Sequence, residues 1–220
     1  MEKNSVILIQ LIISCLTLIL TPLFSALIVN YRLKKSHTYW EKQQGFLKDL
    51  EIDKLKASTY RESVVSTNKL NDKILHHHIY ASKRDILQAL SNVLKANNPN
   101  ESDTFLRLFE TAKTTAEESY LNMREASIFY SGIGVSIRLY FSEEIFKKYS
   151  ALQIKFKTLQ NNLISISKLE KIALDLISKE VSVEDLQEKL RGIYFEEYDR
   201  QKCDNEIHKF LDALMIEFRK

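Results

Sequence analysis

Ile145–Ile166 reads IFKKYSALQIKFKTLQNNLISI, and this stretch decides the fold class. Its apolar residues Ile145, Tyr149, Leu152, Phe156, Leu159, Leu163 and Ile166 recur at alternating intervals of four and three. That is the a/d seam of a helix with one buried stripe. Lys147, Lys148, Lys155 and Lys157 keep the opposite face wet. Apolar side chains in line do not stay in water, because burying each is worth roughly 1.5–3 kcal/mol before entropy is counted. The seam therefore needs a partner face: the long helix that precedes it in the chain, a second copy, or another protein.

The same periodicity extends outward. On the C-terminal side, Ser167 with Glu170 and Ser182 with Asp185 have capping-box spacing and should open shorter helices. Ile207, Leu211, Leu214 and Phe218 share one face of a final helix. On the N-terminal side, Phe105, Phe109, Ala112, Ala116, Tyr120, Met123, Ser127 and Tyr130 define a helix that should end at Ser131–Gly134. Val135, Ile137, Leu139 and Phe141 then alternate with polar residues as in a short strand. Helix is the reading there, since no partner strand exists elsewhere. Asn97–Asn100 is the clearest loop, with Ser102 or Asp103 as the following N-cap. Before it, Phe46, Leu50, Ala57, Tyr60, Val64, Leu75, Ile79, Ile86, Leu90 and Val93 mark a helix with one buried stripe. Ser66–Asp72 (STNKLND) is either a break in it or a solvated piece of one long helix.

Composition agrees. Four Gly and two Pro in 220 residues are too few for a turn-rich β fold or a Gly-rich phosphate loop. Charged residues make up 28% with both signs intermixed and a net charge of +3, which leaves no basic face for direct nucleic-acid binding. Two cysteines, Cys15 and Cys203, suit a reducing compartment.

From Asn4 to Tyr31 there are 28 residues without a charge. Within them Val6–Val29 reads VILIQLIISCLTLILTPLFSALIV and includes Leu11, Leu18 and Pro22. As a helix it would span about 36 Å, somewhat more than a hydrocarbon core of about 30 Å. Pro22 is tolerated in such a helix. The stretch is too long for a cleaved signal peptide. Ile12–Cys15 loosely matches a lipobox, but the apolar sequence continues past Cys15 where a lipoprotein would turn polar. Arg32, Lys34 and Lys35 follow the stretch, with Tyr31 and Trp40 near its boundary, so the positive-inside rule puts the C-terminal side in the cytoplasm and the N-terminus outside. The predicted architecture is all-α. Residues 1–35 form a transmembrane anchor with a basic stop, and residues 36–220 a cytosolic antiparallel helical bundle or coiled-coil body. Ala126–Ser142 has Arg138 as its only charge and contains Gly132 and Gly134, so a second membrane pass is an alternative reading of it. Burial against the bundle is the expected outcome.

No catalytic, cofactor or metal site is expected. His76, His77 and His78 point in three directions on a helix. Asp72 and His76 share a face but make only two of the three or four ligands zinc needs, so a solvated polar patch is the reading. Cys203 and His208 lie on different faces, with Asp204 between them. Glu117–Glu118, Glu143–Glu144 and Glu196–Glu197 are splayed pairs. GxxxxGK[ST], GxGxxG and HExxH are absent. The Arg-spacer-His pattern of helical HEPN ribonucleases fails: Arg200 and His208 are too far apart, and Arg32 and His37 lie against the membrane flank.

A short N-terminal anchor, a basic stop and a helical body rich in Lys, Ile and Asn resemble small bacterial inner-membrane effectors of retron-type and other abortive-infection systems. The resemblance is one of architecture. It implies a non-enzymatic protein of the cell inner membrane that acts in anti-phage defence by arresting growth or damaging the membrane. Its partners would be the lipid bilayer and either a regulatory complex such as a nucleoprotein or further copies of itself. The alternative is a membrane-anchored adaptor that recruits a cytosolic partner.

Overall fold

The computed structural model describes the backbone of residues 2–95 and 98–219, and the side chains of residues 25–95, 98–183, 185–199 and 202–219. Among these there are six helices and no strand: α1 (Glu2–Leu94), α2 (Pro99–Tyr140), α3 (Glu143–Asn161), α4 (Ile166–Ser178), α5 (Val183–Gln201) and α6 (Asp204–Phe218). The all-α expectation holds. The chain divides into two units, Met1–Lys54 and Leu55–Lys220. In the first, the side chains from Ser25 to Lys54 are exposed apart from half-buried Ile52, and Phe46 and Leu50 are exposed with the rest. The predicted stripe through those two residues therefore has no cover within its own unit.

In the second unit the seam is core. Ile145, Tyr149, Leu152, Phe156 and Leu159 are all buried. They lie with Leu70 and Ile74 of α1, Met123, Ala126, Tyr130, Ile133 and Ile137 of α2, Phe141 just after it, and Ile207, Phe210 and Leu214 of α6 in one cluster. Pairing is antiparallel: Arg138 of α2 sits over Phe146 of α3, Tyr149 reaches back to Tyr130, and Gln153 to Ser131. On the other side of α3, Ser142 bonds Glu217, Tyr149 meets Phe210, and Lys155 pairs with Glu206. A second cluster holds Ile86 and Leu90 of α1 against Leu169 and Ala173 of α4 and Leu186, Leu190 and Tyr194 of α5. The seam does not run unbroken, however. α3 ends at Asn161, Leu163 lies in the connection, and Ile166 opens α4. Both residues pack half-buried against the second cluster.

Several boundaries differ from the sequence reading for identifiable reasons. α2 begins at Pro99, whose missing N–H suits the first helical position. Asn98 caps it through Glu101 N, in place of Ser102 or Asp103. Ser102 is instead buried and donates to the Ser91 carbonyl at 2.9 Å. Ser165 caps α4 where Ser167 was expected, while Ser182 caps α5 as predicted, accepting from Asp185 N at 3.2 Å. α2 also runs through Ser131–Gly134 to Tyr140 instead of ending there. The reason is a close approach. A Cβ on Gly134 would lie 2.7 Å from Cε1 of Tyr149, whose hydroxyl donates to the Tyr130 carbonyl at 2.7 Å. Gly134 is thus the seat of a buried tyrosine ring. Gly134→Ala is expected to lower stability by about 1–3 kcal/mol through overpacking. Gly132→Ala, which meets nothing within 4 Å, should be neutral or slightly stabilising in the same denaturant titration.

The buried face of α1 is the largest departure. From Thr59 it runs Thr59, Ser63, Ser66, Thr67, Leu70, Ile74, His77, His78, Ala81, Ser82 and Asp85. Ser66–Asp72 is no break but part of one long helix, with Asn68, Lys69 and Asp72 exposed and Ser66, Thr67 and Leu70 buried. Ser63 donates to Thr59 O at 2.7 Å, Ser66 to Ser63 O at 3.2 Å and Ser82 to Ile79 O at 2.7 Å. A hydroxyl that bonds its own helix buries at little cost.

Candidate functional site

The histidine run is placed differently from its expected role. His76 is exposed and 3.3 Å from Asp72, one turn earlier. His77 and His78 are buried, which corrects the solvated-patch reading. They turn inward because α1 packs on both sides here, with α2 over His77 and with α3 and α5 over His78. Nδ1 of His77 is 3.3 Å from Oγ of Ser119, and that hydroxyl already donates to Ala116 O at 2.7 Å. Nδ1 is therefore the protonated nitrogen. Nε2 of His78 is 2.8 Å from the Leu159 carbonyl and must donate, which leaves Nδ1 buried without a partner. Tyr198 lies against the His78 ring with centroids 4.7 Å apart. Burial, with smaller contributions from His78 and Arg84, pushes His77 down to about 4. Burial also lowers His78, partly opposed by its bond to Leu159. Both imidazoles are neutral at physiological pH.

Further along α1, Asp85 is buried and held by Arg84 at 2.7 Å, with its carboxyl pushed upward by burial against the pull of that guanidinium. Burial also raises the nearby Tyr194 phenol well above its ordinary range, and its hydroxyl has no partner. The histidines, Asp85 and the tyrosines form a polar seam between α1 and α5. Among the described residues no three metal-ligating groups converge.

Cys203 and His208 are not brought together. Cys203 is fully buried ahead of α6, while His208 is exposed on it. Burial, then Glu206 and Asp204, push the Cys203 thiol up to about 11, away from a reactive thiolate.

In the first unit, Tyr31, Lys34, Lys35, Thr38, Tyr39 and Lys42 line one face of α1, and Arg32 and Val29 are exposed. The side chains of Val6, Leu11, Leu18 and Pro22 lie outside the described residues. Among the described residues no helix is long and apolar enough to cross a membrane.

The sequence reading missed a second apolar stripe on α2. Leu121, Ile128, Val135 and Leu139 are exposed by 61%, 65%, 66% and 69%. Met123, Ala126, Tyr130, Ile133 and Ile137, on the opposite face, are buried. The signal was present: 121, 128 and 135 recur every seven residues, two positions out of step with the buried set. A helix apolar on both sides is ordinarily covered on both.

No family model matches this chain, and no curated protein and no solved structure is significantly similar to it.

Proposed function

We propose that this chain is a membrane-anchored, non-enzymatic effector that perturbs the inner membrane or arrests growth, in anti-phage defence and under the control of a partner complex. The observation that carries the reading is the uncharged run from Asn4 to Tyr31 followed at once by Arg32, Lys34 and Lys35, within a single helix. Residues 6–29 would cross the bilayer, the N-terminus would lie outside, and the bundle would sit in the cytoplasm.

The outer stripe of α2 supports assembly. With Phe129 it leaves five large apolar side chains uncovered along the helix, and exposed apolar patches mark interaction surfaces. We assign it to a second copy of the chain, whose pairing would gather anchors in one place. The adaptor reading differs in placing a different protein on the same stripe.

The test uses the full chain. Leu11→Arg with Leu18→Arg puts two charges into the apolar run at a cost of about 2.5–3.5 kcal/mol each. The native chain is expected in the membrane fraction, where its expression collapses membrane potential and growth. The double variant should move to the soluble fraction and spare both. A native chain that fractionates as soluble, or that sits in the membrane at high level without affecting potential or growth, overturns the effector reading. A different protein bound in place of a second copy would favour the adaptor.

A further inference from the structure

On the outer side of α1 in the second unit, two clefts share Tyr80, Lys83 and Gln187 as a common wall. The first, of about 420 Å³, lies between α1 and α5 and adds Arg191 over a floor of Ile79 and Ile86. The second, of about 320 Å³, lies between α1 and α2. It is lined by buried Leu87 and Ala112, exposed Leu108, and Thr111 and Thr115. Each volume is within the range of about 300–1,000 Å³ found for small-molecule sites.

The two halves want different chemistry. Lys83 and Arg191 have no carboxylate partner among the described residues, and neither cleft has a carboxylate in its wall. Arg191 is set by its guanidinium, 5.7 Å from the centroid of the Phe195 ring. Two unneutralised cations beside a half-open cleft attract an anion, and an Arg fork matches phosphate geometry. The neighbouring half offers hydroxyls and an amide that both donate and accept above apolar contacts. A heterocyclic ring needs that mixture at its edge and on its face. Tyr80, partly exposed at the junction, supplies an aromatic surface for stacking.

We infer that this double cleft binds a mononucleotide, its phosphate between Lys83 and Arg191 and its base in the Leu87–Leu108–Ala112 half. The site is independent of how the anchor acts. No bond is made or broken in it; the occupant is a ligand that bridges α1, α2 and α5.

Isothermal titration of the full-length protein in detergent micelles with AMP, adenosine and sodium phosphate tests the assignment. AMP should bind saturably at one site per chain. Adenosine and phosphate, each filling one half, should bind at least about tenfold more weakly. Arg191→Gln and Thr111→Phe both change exposed residues, so helical content by circular dichroism should be unchanged. Each should weaken AMP by about tenfold or more, the first by removing charge and the second by filling the base half. No saturable binding at millimolar AMP overturns the inference. So does phosphate binding as tightly as AMP, which would indicate a simple anion or lipid-headgroup contact. An Arg191→Gln protein that binds AMP like the native chain overturns it as well.

Discussion

Phe156→Ala is expected to cost the second unit about 3–5 kcal/mol, enough to leave little of a marginally stable bundle. The ring is 1% exposed at the centre of the seam. It meets Tyr130 edge-on, with centroids 5.3 Å apart and planes at 87°. Tyr130 in turn packs on Tyr149 at 5.0 Å. Removing the ring opens a cavity between α2 and α3 and deprives Tyr130 of an edge-to-face partner. Chemical denaturation followed by helical circular dichroism should show the midpoint falling sharply. A protein equally stable but reduced from oligomer to monomer would mean that α3 faces another molecule and that the packing described above is wrong.

Mild acid is expected to destabilise the same unit. An unfolded histidine takes its proton near pH 6.5, whereas folded His77 resists until about 4. Between those values the unfolded chain binds more protons, so stability is complete above about pH 6.5 and drains away as the pH falls towards 4. His77 alone accounts for up to roughly 3 kcal/mol, and His78, shifted in the same direction, adds to it. The groups facing them are Ser119 and Tyr120 of α2, Tyr194 and Tyr198 of α5, and Arg84 and Asp85 of α1 itself. None of these is a carboxylate placed to welcome an imidazolium except Asp85, which Arg84 already engages. The raised carboxyl of Asp85 works the other way, since protonation relieves its burial, and so blunts the loss at the acid end. Denaturation midpoints at pH 7.5 and pH 5 should differ in the native protein. The gap should shrink in His77→Gln, where Ser119 retains a donor and only His78 of the pair still titrates. Equal midpoints in the native protein would contradict neutral buried imidazoles.

How much of this was legible follows from what each residue reports. The seam announced itself because Leu, Ile, Phe and Tyr at four-three spacing have one explanation, and its five residues in α3 are core. Ser182 with Asp185 was readable because the cap and its reply lie three residues apart. The face of α1 was not readable, since serines look like surface until the carbonyls that accept from Ser63, Ser66 and Ser82 are seen one turn away. His77 and His78 misled for a related reason: periodicity places a side chain on a face, but whether the face is covered depends on helices 42 and 81 residues distant in sequence. Gly134 suggested a helix end because a glycine reads as punctuation when the ring seated upon it is unknown. The double cleft has no local signature, as its walls come from three helices and its chemistry from an absence of acids.

The self-satisfied hydroxyls along α1 set what kind of variation that helix accepts. Where a core position is defined by an apolar knob, exchange is limited by polarity. At Ser63 and Ser66 the limiting quantity is bulk: alanine, cysteine or glycine fits the same gap between helices, while leucine, though more hydrophobic, pries them apart. Related chains would therefore drift in hydropathy along this helix while holding side-chain volume nearly constant. A profile of residue size would trace its packed face where one of hydrophobicity loses it.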